Sequence, residues 1–271
     1  MSGSRKSSTD PAQNQPRQQQ AYYNKPEWAW EYLRRNPEFH PLWQRAHRAF
    51  EIITESATRK IVIAHKKRSP FVPWGCLFTD APDIPAGAAT VFWDPARFRG
   101  ALSGVSLSLD TRLTSQHFRL DRLRCPFALL LAPGGRQHLL FLENGRRLQL
   151  AIDGADIRAP VHFLAHAILD NNRVRTQTAT MRCFNELLSC NRLSSPHYLI
   201  DPPPPRLSFV AKALDGWLAR MPHKDIAVSL FGSNRVGQDW YDPYEHLRDR
   251  VRKAIRMGKS LMDGGYLKLL K

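Results

Sequence analysis

Apolar residues recur along this chain with two different periods, and the switches between them divide it. The first segment is helical and aromatic. Trp28, Trp30, Tyr32 and Leu33 follow Asn24-Lys25-Pro26-Glu27, which reads as a cap, a first-turn proline and a capping-box glutamate. Pro37 forces a break after Asn36. A second helix is expected from Pro37 into the Glu55 region, with Leu42, Trp43, Ala46, Phe50 and Ile53 on one face, and the two helices should pack as a hairpin. Aromatic density of this kind means buried packing more often than base stacking.

From about Ile61 to Ile157 the pattern alternates as in strands. Strands are expected at Cys76–Thr79, Thr90–Trp93, Val105–Leu109, Phe127–Ala132, His138–Leu142 and Leu148–Ile152, forming a small antiparallel sheet. Asn144-Gly145 between the last two is a two-residue hairpin turn of the primed type, and Pro133-Gly134-Gly135 marks another turn. Helical patterning returns near Val161, with Phe163, Leu164, Ala167 and Ile168, and a further helix is expected over Thr176–Leu188. The run Asp201-Pro202-Pro203-Pro204-Pro205 then acts as a stiff, extended spacer. Three helices close the chain, from about Leu207 to Arg220, from His223 to Phe231, and a long one from Asp242.

The expected architecture is therefore α+β: an N-terminal helical hairpin, a central small antiparallel β-sheet and a C-terminal helix-turn-helix-like helical domain. Its divisions are a disordered basic tail at 1–20, an aromatic helical domain at 21–60, a strand-rich middle at 61–158, a helical connector at 159–200, a proline spacer at 201–206 and the terminal helical domain at 207–271.

The last helix carries the strongest chemical signal. Arg248, Arg250, Arg252, Lys253, Arg256 and Lys259 crowd it, interrupted by one acid, Asp249. At about 100° per residue, Arg248, Arg252, Arg256 and Lys259 share one narrow sector; Tyr244, Leu247, Val251, Ile255 and Met262 fill the next. Arg250 points away from the other cations and is expected to be an ordinary solvated side chain. Asp242, Pro243 and Glu245 mark a capped start, and Gly264-Gly265 a left-handed stop. A rigid cationic helix with an apolar seat is what reading a major groove requires.

Composition sharpens the choice of partner. The chain has 271 residues, 42% of them hydrophobic, which leaves ample material for a core. Its formal net charge is +16 with a pI near 10.2, which favours a polyanion, either nucleic acid or an acidic membrane surface. No apolar run approaches the roughly 20 residues of a spanning helix, and the Ser/Gln/Pro-rich N-terminus lacks a secretory core. A soluble cytoplasmic protein without membrane contact is expected.

Catalytic and metal chemistry find little support. Cys76, Cys125, Cys183 and Cys190 show no C-x-x-C pairing. His162 and His166 stand one helical turn apart but lack a neighbouring acid or thiol to complete a ligand set. Asp153 with Asp156 is a thin basis for a nuclease, and in Gly100-Ala101-Leu102-Ser103-Gly104 the serine sits one position late for a nucleophile elbow. No enzyme, cofactor or metal is expected.

In the terminal block Phe209, Leu214 and Trp217 face Ile226, Ala227, Leu230 and Phe231, and Gly232 suits a left-handed turn. The connection Ser233–Tyr241 is longer than the turn of a simple helix-turn-helix. Either a short extra turn lies there, anchored by Val236 and Trp240, or the basic helix is not in the recognition position.

The pattern Asp225-Ile226-Ala227, Leu230-Phe231-Gly232, Arg235-Val236, Trp240, Leu247-Arg248, Arg250-Val251-Arg252, Ile255, Gly264-Gly265-Tyr266 and Leu269-Leu270 resembles the RovC-like DNA-binding domain family. The run from Tyr23 to Pro37 resembles the small transcriptional-regulator-like domain that often precedes it. Pro222-His223 departs from the family, standing where a small polar cap often opens the second helix. The resemblance implies a bacterial transcription activator of the kind encoded on integrative and conjugative elements or near secretion genes. Some relatives act instead as protein-binding antiactivators. Double-stranded DNA is the expected partner, with RNA polymerase and a second copy of the chain beside it. The DNA-binding residues are expected to be Lys224, Arg235, Arg248, Arg252, Lys253, Arg256 and Lys259, with Arg248 and Arg252 reaching base edges.

Overall fold

Helix α1 (Lys25–Leu33) begins where the sequence marks it: Pro26 sits in the first turn, and the Glu27 carboxylate accepts the Asn24 N–H at 3.0 Å. The computed structural model describes residues 23–109, 117–143, 145–166, 171–193, 206–240 and 246–271. Every residue of α1 from Glu27 to Leu33 is buried, so this helix lies inside the molecule and not on it. Its two carboxylates are therefore paired. Glu27 meets Arg147 at 3.0 Å, while Glu31 takes Arg34, Arg35 and the Ala86 N–H.

Helix α2 (Phe39–Ala46) follows, with the Trp30 and Phe39 rings 6.0 Å apart and nearly perpendicular. The second helix is shorter than expected and touches α1 through Phe39 at its start, not along a hairpin face. A single 3-10 turn (His47–Ala49) follows, and Phe50–Ser56 is strand β1. The segment is rich in β-branched Ile52, Ile53 and Thr54, and the next strand decides the outcome: β2 (Arg59–Ala64) pairs with it antiparallel as a hairpin.

The central sheet is larger than expected and mixed. Strand β3 (Cys76–Thr79) pairs with β4 (Val91–Trp93) as a separate two-stranded ribbon. Strands β5 (Ala101–Ser108), β6 (Phe127–Leu131), β7 (Gln137–Glu143), β8 (Arg146–Gly154) and β9 (Val161–His166) join β1 and β2 in the order β1-β2-β6-β7-β8-β5-β9. The β2–β6 and β8–β5 pairs are parallel and the others antiparallel.

Strand β9 replaces the helix expected near Val161. It pairs with β5 from Ser108 opposite Val161 to Ser103 opposite His166, and Gly104 gives room for the Phe163 ring, which any Cβ there would strike. The β7–β8 turn is as tight as expected: Glu143 pairs with Arg146, and Gly145 adopts φ +73°. Asn144, Ala167, Ile168, the N-terminal tail, the proline run and the capping residues Asp242, Pro243, Tyr244 and Glu245 lie outside the described residues.

Alternation along the strands sends apolar side chains to both faces of the sheet. Val62, Ala128, Leu130 and Leu140 face α1, α2 and the terminal helices. Leu129, Leu139, Phe141 and Leu150 face the long helix α3 (Asn171–Cys190) through Cys183, Phe184 and Leu187. The terminal helices are α4 (Arg206–Leu218), α5 (His223–Phe231), α6 (Ser233–Asp239) and α7 (His246–Met262), followed by a 3-10 turn (Gly265–Leu270). They share their core with α1. The Tyr32 hydroxyl donates to the Leu207 carbonyl at 2.8 Å, the Asn36 amide to Met262 at 3.2 Å, and the Tyr266 hydroxyl to Trp74 at 2.9 Å.

Candidate nucleic-acid interface

Close helix approach seats α7. A Cβ at Gly258 would lie 2.9 Å from the Leu214 Cβ and 3.3 Å from the Val210 carbonyl, so α4 and α7 touch nearly backbone to backbone. The apolar seat of α7 is Leu247, Val251, Ala254, Ile255, Gly258 and Met262. These positions span an arc of about 100°. Lys259, Arg252 and Arg256 follow one another outward from that arc, and burial follows the same order. Arg248 and Lys259 are half-buried beside the seat, while Arg252, Lys253 and Arg256 are exposed.

Each cation has an identifiable setting. Lys259 Nζ stands 4.4 Å above the Trp217 ring, which holds its ammonium head against α4. Arg252 approaches Asp249 at 3.5 Å, an exposed pair of little energetic consequence. Lys253 and Arg256 meet no acid within ion-pair distance among the described residues. The outer part of the α7 edge, Arg252, Lys253 and Arg256, is thus turned toward solvent.

Arg250 is exposed, as expected, and also makes contacts that the sequence did not suggest. It lies on the other flank of the seat and covers the Phe231 ring at 4.7 Å and the Phe209 ring at 5.9 Å. Those two rings are themselves 5.5 Å apart. Arg250 therefore lies across the α4–α5–α7 junction while remaining exposed to solvent.

The remaining candidates stand on other helices. Lys224 is exposed in the first turn of α5, and Arg235 is exposed on α6, 3.6 Å from Asp239 and over the Phe231 ring. Of the two alternatives for Ser233–Tyr241, the extra helical segment is present. Helix α6 follows α5 after Gly232 alone (φ +86°), and buried Val236 anchors it. Helix α5 starts at His223 with Pro222 as its cap residue and no side-chain cap.

The histidine and carboxylate pairs singled out in the sequence are not brought together as sites. His162 and His166 lie on strand β9, where four residues span about 13 Å, so the one-turn spacing does not exist. Asp153 pairs with Arg136 at 2.8 Å and Asp156 with Arg158 at 2.6 Å. Among the described residues no group of three His, Cys, Asp or Glu side chains is placed to hold a metal, and no helix is long and apolar enough to cross a membrane.

The terminal helices thus present a buried apolar seat and an outward cationic edge on α7. Residues 171–271 match the model of the RovC DNA-binding domain family, described as "T6SS, Transcription factor, DNA binding domain". Over this part of the chain the sequence is similar to that family, the one that its residues resemble. The matched segment begins at α3, upstream of the proline run. No curated protein matches the chain.

Proposed function

We propose that this protein is a sequence-specific transcription activator and that α7 is its recognition helix. The observation that carries this reading is the division of α7 into a buried seat and an outward edge formed by Arg252, Lys253 and Arg256. Lysines and arginines on that edge, with Lys224 and Arg235, neutralise phosphates and release counterions. Arg248 and Arg252 then contact guanine edges or a narrowed groove, so that phosphate contacts position the domain and base contacts select the site. Two copies on paired half-sites supply the affinity that one small module lacks. RNA polymerase is the proposed further partner, and a cytoplasmic protein of a mobile element or secretion locus is the proposed setting.

A second reading, a protein-binding antiactivator of the same family, draws on Leu218, Met221 and Val228. These apolar side chains are exposed around the α4–α5 turn. Selection of genomic fragments by the intact chain, followed by sequencing, separates the two. Enrichment of a common motif supports the activator. Uniform recovery or none sinks operator recognition.

A further inference from the structure

A cleft of about 250 Å³ opens where the start of α1, the loop before β5, the first residues of β8 and one face of α3 come together. The segment that follows α7 closes it. Leu148 and Leu270 contribute apolar walls, and Lys25, Arg99 and Arg175 bring positive charge from three separate elements. No Asp or Glu side chain lines the cleft. Arg147 also reaches its wall, but that guanidinium is already used: it pairs with Glu27 at 3.0 Å and donates to the Val91 carbonyl at 2.6 Å. Arg99 and Arg175 meet no acid among the described residues. Arg99 and Arg175, like charges around one half-apolar hollow, repel each other, and an anion between them relieves that repulsion. Burial pushes the Cys183 thiol in the floor up to about 11, so it adds no negative charge at neutral pH.

We propose that this cleft binds a small organic anion, a carboxylate or phosphate monoester on a compact apolar body. Its volume lies just below the roughly 300–1,000 Å³ of sites for drug-sized ligands, which fits a metabolite. Arg99 and Arg175 clamp the anionic head, and Thr180 on the same face of α3 lies beside them. The site touches the terminal helical domain directly. The Arg99 N–H donates to the Leu270 carbonyl at 3.0 Å, so the loop that holds the anion also holds the segment leaving α7. A ligand bridging α3 and that segment changes how firmly the terminal helices are seated, and by linkage its occupancy and DNA affinity alter each other. That regulatory consequence rests on the DNA-binding reading; the binding site itself does not.

Calorimetric titration of the full chain with phenyl phosphate, benzoate and neutral benzamide, at fixed ionic strength and without DNA, tests the site. Saturable one-to-one binding of phenyl phosphate or benzoate is expected, and the better of the two identifies the headgroup. Benzamide should give no saturable heat. Arg99→Gln with Arg175→Gln should weaken the anion about tenfold or more, whereas Lys66→Gln with Lys67→Gln, on an exposed loop elsewhere, should leave it unchanged. If the double variant does not fold, Arg175→Gln alone, at an exposed position, must still weaken binding. Failure of both anions to saturate, equal binding of benzamide, or equal weakening by the Lys66/Lys67 pair would overturn the proposal. Because DNA is absent from the titration, its result stands apart from any failure of operator recognition.

Discussion

Arg35 and Asp215 meet side by side: Nε lies 2.6 Å from one carboxylate oxygen and Nη2 3.0 Å from the other, joining α1 to α4. The two partners are not equivalent. The Asp215 side chain is 51% exposed, while Arg35 is nearly buried and also serves Glu31, which has no exposure at all. Burial pushes the Glu31 carboxyl upward, yet Arg34, Arg35 and the Ala86 N–H outweigh it and hold its pKa below the usual range. Asp215→Asn should therefore cost about 1 kcal/mol of stability, the scale of a half-exposed ion pair. Arg35→Leu should cost about 2–3 kcal/mol, because it leaves a buried carboxylate short of one of its two cations. Urea unfolding of both variants checks the order, and equal losses would mean that Glu31 does not depend on Arg35.

Arg252→Ala with Arg256→Ala should abolish retention of an operator fragment in a mobility shift while leaving the melting temperature unchanged. Both side chains are exposed, and neither touches the seat of α7. The salt dependence gives a second measure. Each lost phosphate contact removes about 0.9 from the slope of log affinity against log salt, so the double variant should be shallower by about 2. Arg250→Ala should behave oppositely. It uncovers Phe231 and should lower stability by about 0.5–1 kcal/mol with little change in the salt slope. An unchanged mobility shift with the Arg252/Arg256 variant would remove α7 from DNA contact.

Elements closed by local signals were legible in the sequence. Glu27 at its capping position, Pro37 as a stop, Gly145 at a tight turn and the two-sided character of α7 all act over a few residues. What escaped depends on strand pairing, with the next strand in one case and with one far along the chain in the others. Phe50–Ser56 and Val161–His166 carry apolar spacings that suit a helix or a strand equally, and only pairing with β2 and β5 decides. The parallel β2–β6 and β8–β5 pairs made a mixed sheet where local alternation suggested only hairpins. Of the candidate interface, the outward edge of α7 was readable from its wheel. The role of Arg250 was not, because it requires knowing that Phe209 and Phe231 from two other helices meet beneath it.

Gly258→Ala tests how α7 is seated. The added Cβ would stand 2.9 Å from the Leu214 Cβ and 3.3 Å from the Val210 carbonyl, and neither is the flexible end of a side chain. Alanine is normally the better helix former by about 1 kcal/mol, so an isolated α7 would gain from the change. In the folded chain the helices must separate instead, and a net loss of about 1–3 kcal/mol is expected by thermal or urea unfolding. A stabilised variant would show that α4 and α7 do not pack as closely as described.

His138 makes stability depend on pH in a window of its own. It lies on β7 with 3% exposure and an unpartnered Nδ1, and burial, reinforced by the Arg136 charge, lowers its pKa from 6.5 to about 4. The unfolded chain therefore binds a proton between those values that the folded chain refuses. The associated stability is complete above about pH 6.5 and is lost as pH falls toward 4, up to about 3 kcal/mol. Carboxylates held low by arginines, such as Glu31, begin to matter only below about pH 4.5. Between pH 7 and pH 5 the His138 contribution stands clear of theirs and amounts to about 2 kcal/mol. Urea unfolding at those two pH values, on wild type and His138→Leu, isolates it. The leucine variant should lose about 2 kcal/mol less than wild type on acidification, because it has no proton to take up on unfolding. Identical losses in the two proteins would show that this imidazole titrates in the fold much as it does in water.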